Sequence, residues 1–248
     1  MAPAVAPVAS FHLHRFPTAR APRAMAGTLL DRPALARTPG LRSGHLLGSG
    51  RGADMGLGAD LRRWACFATW DDEADLDRFL ATSPLARRWA GAEESYVVRL
   101  APLGGHGTWG GVPPLTPAPG GAGRPADART GDGPVAVLTR ARVAPRHWAS
   151  FHRAAGVVDA QLRRSPGLLA TVGVGEWPVG LLATFSLWRS VGDVAAFAHR
   201  PGSPHADVVA RTRRHGWFRE ELFARFRPYA SAGTWEGADP LAGSGNGS

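Results

Sequence analysis

Apolar positions recur with a period of two along "PVAVLTRARV", residues 134–143, which predicts a β-strand. The following stretch changes to steps of three and four, the spacing of a helix that packs on a sheet. Its apolar stripe consists of Trp148, Phe151, Ala155, Val158 and Leu162. Two strands come next, "LLATVGVG" and "LLATFSLW". A helix then begins at Ser190 with Asp193 as an acidic capping-box partner.

Helical residues are predicted to continue through "SPHADVVARTRRHGWFREELFARF", residues 203–226, and the last strand is "YASAGTWEG". The predicted order of this part is strand, helix, strand, strand, helix, strand.

The first part of the chain has the same order. Its strands are "VASFHLHRF", "GHLLGSG", "LRRWACFATW" and "SYVVRLAPLGGHGTW", and its helices are "PRAMAGTLLDRPALAR" and "DEADLDRFLATSPLARRWAGAEE". The pentapeptide "GTWGG", residues 107–111, returns as "GTWEG", residues 233–237. We therefore expect GTW to close the last strand of each half.

This order, βαββαβ, is the ferredoxin-like arrangement, in which both helices cover one face of a four-stranded sheet. The other face is apolar and must be covered, since monomers rarely expose such a patch. The predicted fold is therefore α+β, with two ferredoxin-like repeats packed sheet to sheet as an α/β barrel within one chain. A ligand cavity is expected between the sheets.

Composition divides the chain into four predicted segments. Residues 1–111 form the first repeat, and residues 134–238 form the second. Residues 112–133 are rich in Pro and Gly and read as a linker, and residues 239–248 read as a disordered tail.

The net charge of +9 comes from scattered arginines and gives no nucleic-acid patch, so we expect no nucleic-acid partner. A single cysteine, Cys66, excludes an internal disulfide and fits a reducing cytoplasm. The first residues lack the pattern of a signal peptide, and the chain has no apolar run of membrane-spanning length. The expected location is the cytoplasm, with peripheral contact with a membrane left open.

Three groups of residues have competing interpretations. His12 and His14 share one face of a strand and either bind a metal together or form a polar strand face. Cys66 is either a small core residue or a thiolate ligand of haem. The Gly-rich stretch at residues 48–58 lies between two strands, which favours a flexible hairpin over a dinucleotide site.

His205 follows Pro204 at the start of a predicted helix. It shares a face with Val208, Val209 and Thr212, which places an imidazole beside an apolar surface. On the residues alone, His205 either binds a ligand there or is hydrogen-bonded to backbone or solvent.

Four stretches are similar to the spheroidene monooxygenase family of carotenoid ketolases: "HLLGSGRG", "ACFATWDDEADLDRFLATSPLARRW", "SPHADVVARTRRHGWFREELFARF" and "GTWEGADPL". The resemblance runs over nearly the whole chain, from Phe11 to Leu241. It is most specific in "GWFREELFARF" and "GTWEGADPL", because an amphipathic pattern alone explains neither.

The resemblance implies a haem-dependent monooxygenase that uses haem b, dioxygen and reduced ferredoxin to oxidise a long apolar carotenoid. Related barrels of paired ferredoxin-like repeats bind haem through a histidine on a helix of the C-terminal half. The resemblance thus assigns His205 as the iron ligand. It also suggests Trp217 and Arg219 as haem contacts, with Arg219 polarising bound oxygen as a catalytic residue or pairing with a propionate.

Two other functional classes remain open. One is a non-catalytic barrel that binds haem or an apolar ligand, as a carrier or sensor would. The other is a cofactor-free monooxygenase or isomerase. The sequence leaves the oligomeric state open as well.

Overall fold

The computed structural model describes residues 6–50, 59–117, 133–176, 181–200 and 217–243. In chain order its elements are β1 Val8–Arg15, α1 Ala21–Leu30, α2 Arg32–Ala36, β2 Leu41–Gly50, β3 Ala59–Trp70, α3 Glu73–Thr82, α4 Pro84–Trp89, β4 Glu94–Gly107, β5 Val135–Val143, α5 Trp148–Arg163, β6 Leu168–Gly175, β7 Leu181–Trp188, α6 Val191–Ala198 and β8 Phe218–Gly233. We call β1–β4 with α1–α4 the first half, and β5–β8 with α5 and α6 the second half. Within the described residues, no helix combines the length and apolar character needed to cross a membrane.

The eight strands form one closed barrel in the order β1-β3-β2-β6-β7-β5-β8-β4. All neighbouring strands are antiparallel. The order within the first half is β4-β1-β3-β2, and the second half has the same order, β8-β5-β7-β6. The α+β class and the barrel are thus confirmed.

The two halves are joined by unequal seams. Strands β4 and β8 pair along nearly their whole length, from Tyr96 opposite Gly233 to Gly107 opposite Leu222. In contrast, β2 and β6 share two residue pairs close to Gly48. Closure of the barrel removes the free sheet edges that an open sheet would expose.

Side chains fill the interior of the barrel. At its centre the rings of Phe11 and Phe185 stack with their centroids 3.8 Å apart. Inward residues of the other strands surround this pair, among them Leu47, Phe67, Val98, Leu138, Val174 and Phe226. The cavity at one end of the interior measures about 20 Å³, roughly room for one water. This is far smaller than the ligand cavity expected between the sheets.

Helices cover the outer faces of the strands. In the first half, Leu35, Leu76, Phe79 and Leu85 from α2, α3 and α4 pack with Trp70 of β3. In the second half, Leu162 of α5 and Val194 of α6 pack on the sheet beside Trp188.

Local signals set most helix ends. The side chain of Ser190 accepts a hydrogen bond from the Asp193 backbone N–H, which confirms the predicted start of α6. One continuous helix was predicted over residues 72–94, but the structure has two, because Ser83 ends α3 and Pro84 begins α4. Proline suits the first turn of a helix and not its interior.

The prediction of helical residues up to Phe226 is wrong, because β8 begins at Phe218. Leu222, Ala224 and Phe226 are buried in the barrel interior at every second position. Glu, Leu, Ala and Arg favour helices locally, but pairing with both β4 and β5 overrides that preference.

The two GTW segments begin at Gly107 and Gly233, the last residues of β4 and β8 as predicted, and continue into the loops that follow. Gly107 and Gly233 have φ values of 84° and 86°. A Cβ atom at either glycine would lie 2.0 Å from a backbone oxygen of the opposite half, so no other residue fits there. Trp109 and Trp235 follow them and are buried at opposite ends of the β4–β8 seam.

Each GTW loop is held by a glutamate of the other half. The carboxylate of Glu220 accepts hydrogen bonds from the Thr108 hydroxyl and the Gly111 N–H. The Glu94 carboxylate likewise accepts one from the Gly237 N–H, at 2.7 Å. The loops therefore close the barrel and tie its halves together.

Candidate functional site

The residues proposed for haem binding fall at the start of β8 and before it. His205 lies outside the described residues. Trp217 is buried. Its backbone carbonyl accepts a hydrogen bond from the Ala144 N–H, with 2.9 Å between nitrogen and oxygen. Its ring stacks on that of His147, with the centroids 6.1 Å apart. Arg219 is exposed on β8. The β5–β8 ladder is irregular at this point, because Glu220 pairs with Arg142 and Phe218 with Val143, which leaves Arg219 at a bulge.

The outer face of the second half is covered at its two ends. Near one end of α5, the ring of Phe151 lies 5.8 Å from that of Phe218, edge to face. Near the other end, Leu162 is buried against Val135 and Val137 of β5. Helix α5 therefore bridges the outer face.

In the middle of that face, side chains of described residues are accessible to solvent. On β5, Thr139 is exposed and Ala141 is half-buried, although both lie in the centre of the sheet. The apolar α5 residues Ala155 and Val158 are also only half-buried. We call this space between α5 and β5 the second-half gap. Its described lining is small, apolar and hydroxyl-bearing, and residues 201–216 lie outside the described part of the chain.

The corresponding position in the first half is filled. The β1–β3 and β5–β7 ladders begin with a Val–Trp pair in the same register, so His12 and Thr139 occupy matching positions. His12 is fully buried and His14 is 4% exposed. The ring of Trp89 covers both, with centroids 5.0 Å and 4.6 Å from theirs.

The histidine pair does not resemble a metal site. The His12 Nε2 atom lies 2.9 Å from the Ser10 hydroxyl, and the His14 Nδ1 atom lies 2.9 Å from the Ser95 hydroxyl. Burial, aided by the Arg99 charge at His12 and by His12 at His14, lowers each pKa to about 3. No group of three or more potential ligands surrounds them in the described part of the chain. The pair is a neutral, buried polar face.

Cys66 is a core residue. It is buried with Leu46 and Ala68 in the outer cluster of the first half. Burial raises the pKa of its thiol to about 12, so the thiolate that would bind haem iron does not form at neutral pH.

Sequence reasoning missed a polar cluster at the Trp109 end of the barrel. Arg140, buried to 6% exposure, donates to Glu220 at 2.6 Å, and its guanidinium lies 5.1 Å from the Trp109 ring centre. On another side, His45 stacks on Trp109 at 3.8 Å and is 2.8 Å from Glu176. The Trp109 indole N–H also donates to Glu176.

Both carboxylates of this cluster, those of Glu220 and Glu176, already accept hydrogen bonds from neighbouring residues. Burial opposes ionisation of Glu220, but hydrogen bonds from Arg140, Gly111 and Thr108 hold its pKa at about 2. Burial also opposes ionisation of Glu176, but interactions with His45, Trp109 and Arg140 together lower its pKa. Ionised carboxylates with filled hydrogen bonds fix the Trp109 loop and are poor general acids at neutral pH.

A comparison of the halves would have found this cluster. The ladders place His45 opposite Phe67 and Val172 opposite Phe185, in the same register. Arg140 likewise matches Leu13 of β1. Polar residues therefore stand at two inward positions where the other half has apolar ones.

Three characterised proteins are similar to this chain, and all are named spheroidene monooxygenase. The protein of Rhodobacter capsulatus is 37% identical over 238 residues, 95% of this chain and 96% of its own length. That of Rubrivivax gelatinosus is 35% identical over 216 residues, 87% of this chain and 78% of its own. That of Cereibacter sphaeroides is 36% identical over 202 residues, which cover 79% of this chain and 58% of its own length.

Solved structures support the fold. An aldoxime dehydratase in complex with butyraldoxime superposes with a TM-score of 0.60 at 11% identity, covering 90% of this chain and 79% of its own. A second aldoxime dehydratase structure superposes with a TM-score of 0.57 at 10% identity, and the match covers 90% of this chain and 81% of that one. At such identity the likeness concerns the barrel fold alone.

No protein-family model matches the chain. The identity and near-complete mutual coverage with the R. capsulatus protein nevertheless decide the assignment. The chain belongs to the spheroidene monooxygenase family and is an oxidoreductase of the monooxygenase class.

Proposed function

We propose that the chain is a haem-dependent monooxygenase that oxidises a long apolar carotenoid such as spheroidene. The observation that carries the proposal is the 37% identity, over 95% of the chain, to a protein named for that reaction. One atom of dioxygen enters the substrate and the other leaves as water, which takes two electrons and two protons. Reduced ferredoxin is the proposed electron donor.

The proposed haem position is the second-half gap. A planar group needs a slot between helix and sheet, and exposed Thr139 and half-buried Ala141 border such a slot. In the matching place of the first half, His12 and Trp89 leave no slot. Haem, when bound, supplies the activation of dioxygen.

Three residues are proposed to hold the group. His205 supplies the axial imidazole, an assignment that rests on its sequence position and the family resemblance. The guanidinium of Arg219, exposed at the start of β8, binds a propionate or polarises oxygen. Trp217 is buried beside the start of that strand and supports the haem edge.

A cytoplasmic location with peripheral contact to a membrane is part of the proposal, because a carotenoid dissolves in lipid. Helix α1 supports it, since its solvent side carries Met25 at 41% and Leu30 at 76% exposure. Arg20 and Arg23 accompany them and suit an anionic lipid surface.

We further propose that the halves are tandem ferredoxin-like repeats, residues 1–111 and 134–238. The equal strand orders and the reciprocal GTW loops support this. In that arrangement the two repeats share one barrel, and one of them carries the cofactor.

An assay with spheroidene in detergent micelles, ferredoxin, its reductase and oxygen tests the proposed reaction. We expect oxygen-dependent conversion by haem-loaded protein and none by haem-free protein. Thr139→Trp fills the second-half gap and should lower conversion at least tenfold, whereas Ala230→Trp, at an exposed position of β8, should not.

Two results would contradict the proposal. Equal conversion without haem would favour a cofactor-free enzyme. Binding of spheroidene with no oxygen uptake would favour a carrier.

A further inference from the structure

A second cavity lies in the first half, outside the barrel, and the monooxygenase site does not use it. It occupies about 360 Å³ between α1, α4 and the outer face of β2 and β3. This volume falls in the range of small-molecule sites. We call it the α1 cavity.

The inner surface of the α1 cavity is apolar. Leu46 of β2 and Leu85 of α4 are buried, and the aromatic rings of Phe16, Trp64 and Trp89 complete the lining. The Trp64 indole N–H is already bonded to the Leu61 carbonyl, so this ring offers a flat apolar face. Such a surface suits an aromatic or aliphatic body.

The rim of the α1 cavity is strongly cationic. Four exposed arginines line it, namely Arg20, Arg23, Arg87 and Arg88. Asp31 is the one acidic residue among the lining residues, and it pairs with Arg88. Arg20 and Arg87 donate to the backbone carbonyls of Gly91 and Thr82, which do not cancel their charge.

One buried polar residue lines the same space. His14 is 4% exposed, and its Nε2 atom has no hydrogen-bond partner among the described residues. Buried polar atoms are almost always satisfied in native proteins. His14 therefore adds one polar residue to the wall of this cavity.

We propose that the α1 cavity binds an anionic amphiphile, a molecule with a compact aromatic or aliphatic body and a carboxylate or sulfonate group. The body lies against Trp64, Trp89 and Leu85, and the anionic group lies at the arginine rim. This site is separate from the second-half gap and would operate whether or not the proposed haem chemistry is correct.

Two fluorescent probes of nearly equal shape test the charge requirement. The first, 1-anilinonaphthalene-8-sulfonate, carries a sulfonate, and the second, N-phenyl-1-naphthylamine, has the same rings without it. We expect saturable one-to-one binding of the sulfonate and at least tenfold weaker binding of the neutral probe. The Arg23→Ala and Arg87→Ala variants should each weaken sulfonate binding several-fold, because each removes a rim charge.

A plugging variant tests the location. Gly27 lines the cavity on α1, and a Cβ atom there would meet Asp31 Oδ2 at 3.4 Å, an ordinary contact. Gly27→Leu therefore suits the helix and fills the space. It should abolish sulfonate binding, while Gly156→Leu on α5, where a Cβ atom meets nothing within 4 Å, should leave binding unchanged.

Thermal unfolding and circular dichroism of each variant establish that it is folded. Equal binding of the two probes would overturn the proposed ligand class. Unchanged binding in folded Gly27→Leu would overturn the proposed site.

Discussion

His12 and His14 carry no charge at neutral pH because burial lowers the pKa of each to about 3. Their unfolded value is about 6.5. Between these values the unfolded chain binds protons that the folded chain does not. The contribution to stability is therefore complete above pH 6.5 and is lost as the pH falls toward 3.

We expect the free energy of unfolding to fall by about 2 kcal/mol per histidine between pH 6.5 and pH 5. His14→Phe retains a ring against Trp89 and removes one titrating group. Between the two pH values, the free energy of unfolding of this variant should fall by about 2 kcal/mol less than that of the wild type. Urea unfolding at the two pH values measures this, and identical slopes would show that His14 is not buried as a neutral imidazole.

At the residue scale, the sequence indicated which polar residues share a strand face but not what surrounds them. The sequence predicted that His12 and His14 share one face of β1. It did not predict that Trp89 covers them, because Trp89 lies on α4, far along the chain. His45 and Arg140 were missed, because an inward polar residue is recognisable only when the strand register is known.

At the element scale, the two loops with the GTW sequence have similar backbones but different electrostatics. Glu220 holds one loop and also neutralises buried Arg140, whose side chain is 5% exposed. Glu94 holds the other loop, and its neighbour Arg15 is 41% exposed. Removal of one partner of a buried ion pair is costly, whereas an exposed pair contributes little.

Glu220→Gln should therefore destabilise the protein by about 3 kcal/mol, since it leaves the Arg140 charge buried and unpaired. The matched change Glu94→Gln should cost about 1 kcal/mol. Urea unfolding of both variants at pH 7 measures the difference. Equal losses would mean that the Arg140–Glu220 pair has no special role.

Apolar residues spaced two apart predicted most of the strands, and those spaced three to four apart predicted most of the helices, because amphipathicity is a local property. The start of β8 was not located, since "FREELFARF" has helix-forming residues and its strand form depends on partners far along the chain. The GTW segments were predicted correctly as the ends of β4 and β8, but the close approach of Gly107 and Gly233 to the backbone of the opposite half depends on closure of the barrel.

At the scale of the whole molecule, the two halves of the barrel have the same strand order but different side chains on their outer faces. The described side chains pack the interior, and the cavity at its Trp109 end measures about 20 Å³. The outer face of the first half is filled over His12, whereas Thr139, at the matching position of the second half, is exposed. The strand order could be predicted, but the filling of the interior depends on packing that no local pattern reveals.

The absorption spectrum of purified protein supplied with haem tests the central claim most directly. We expect a Soret band in the wild type, and we expect His205→Ala to lose or shift it. His199→Ala, which changes an exposed histidine after α6, should retain the wild-type band. A wild type without a Soret band, or a His205→Ala spectrum identical to it, would contradict a haem centre held by His205.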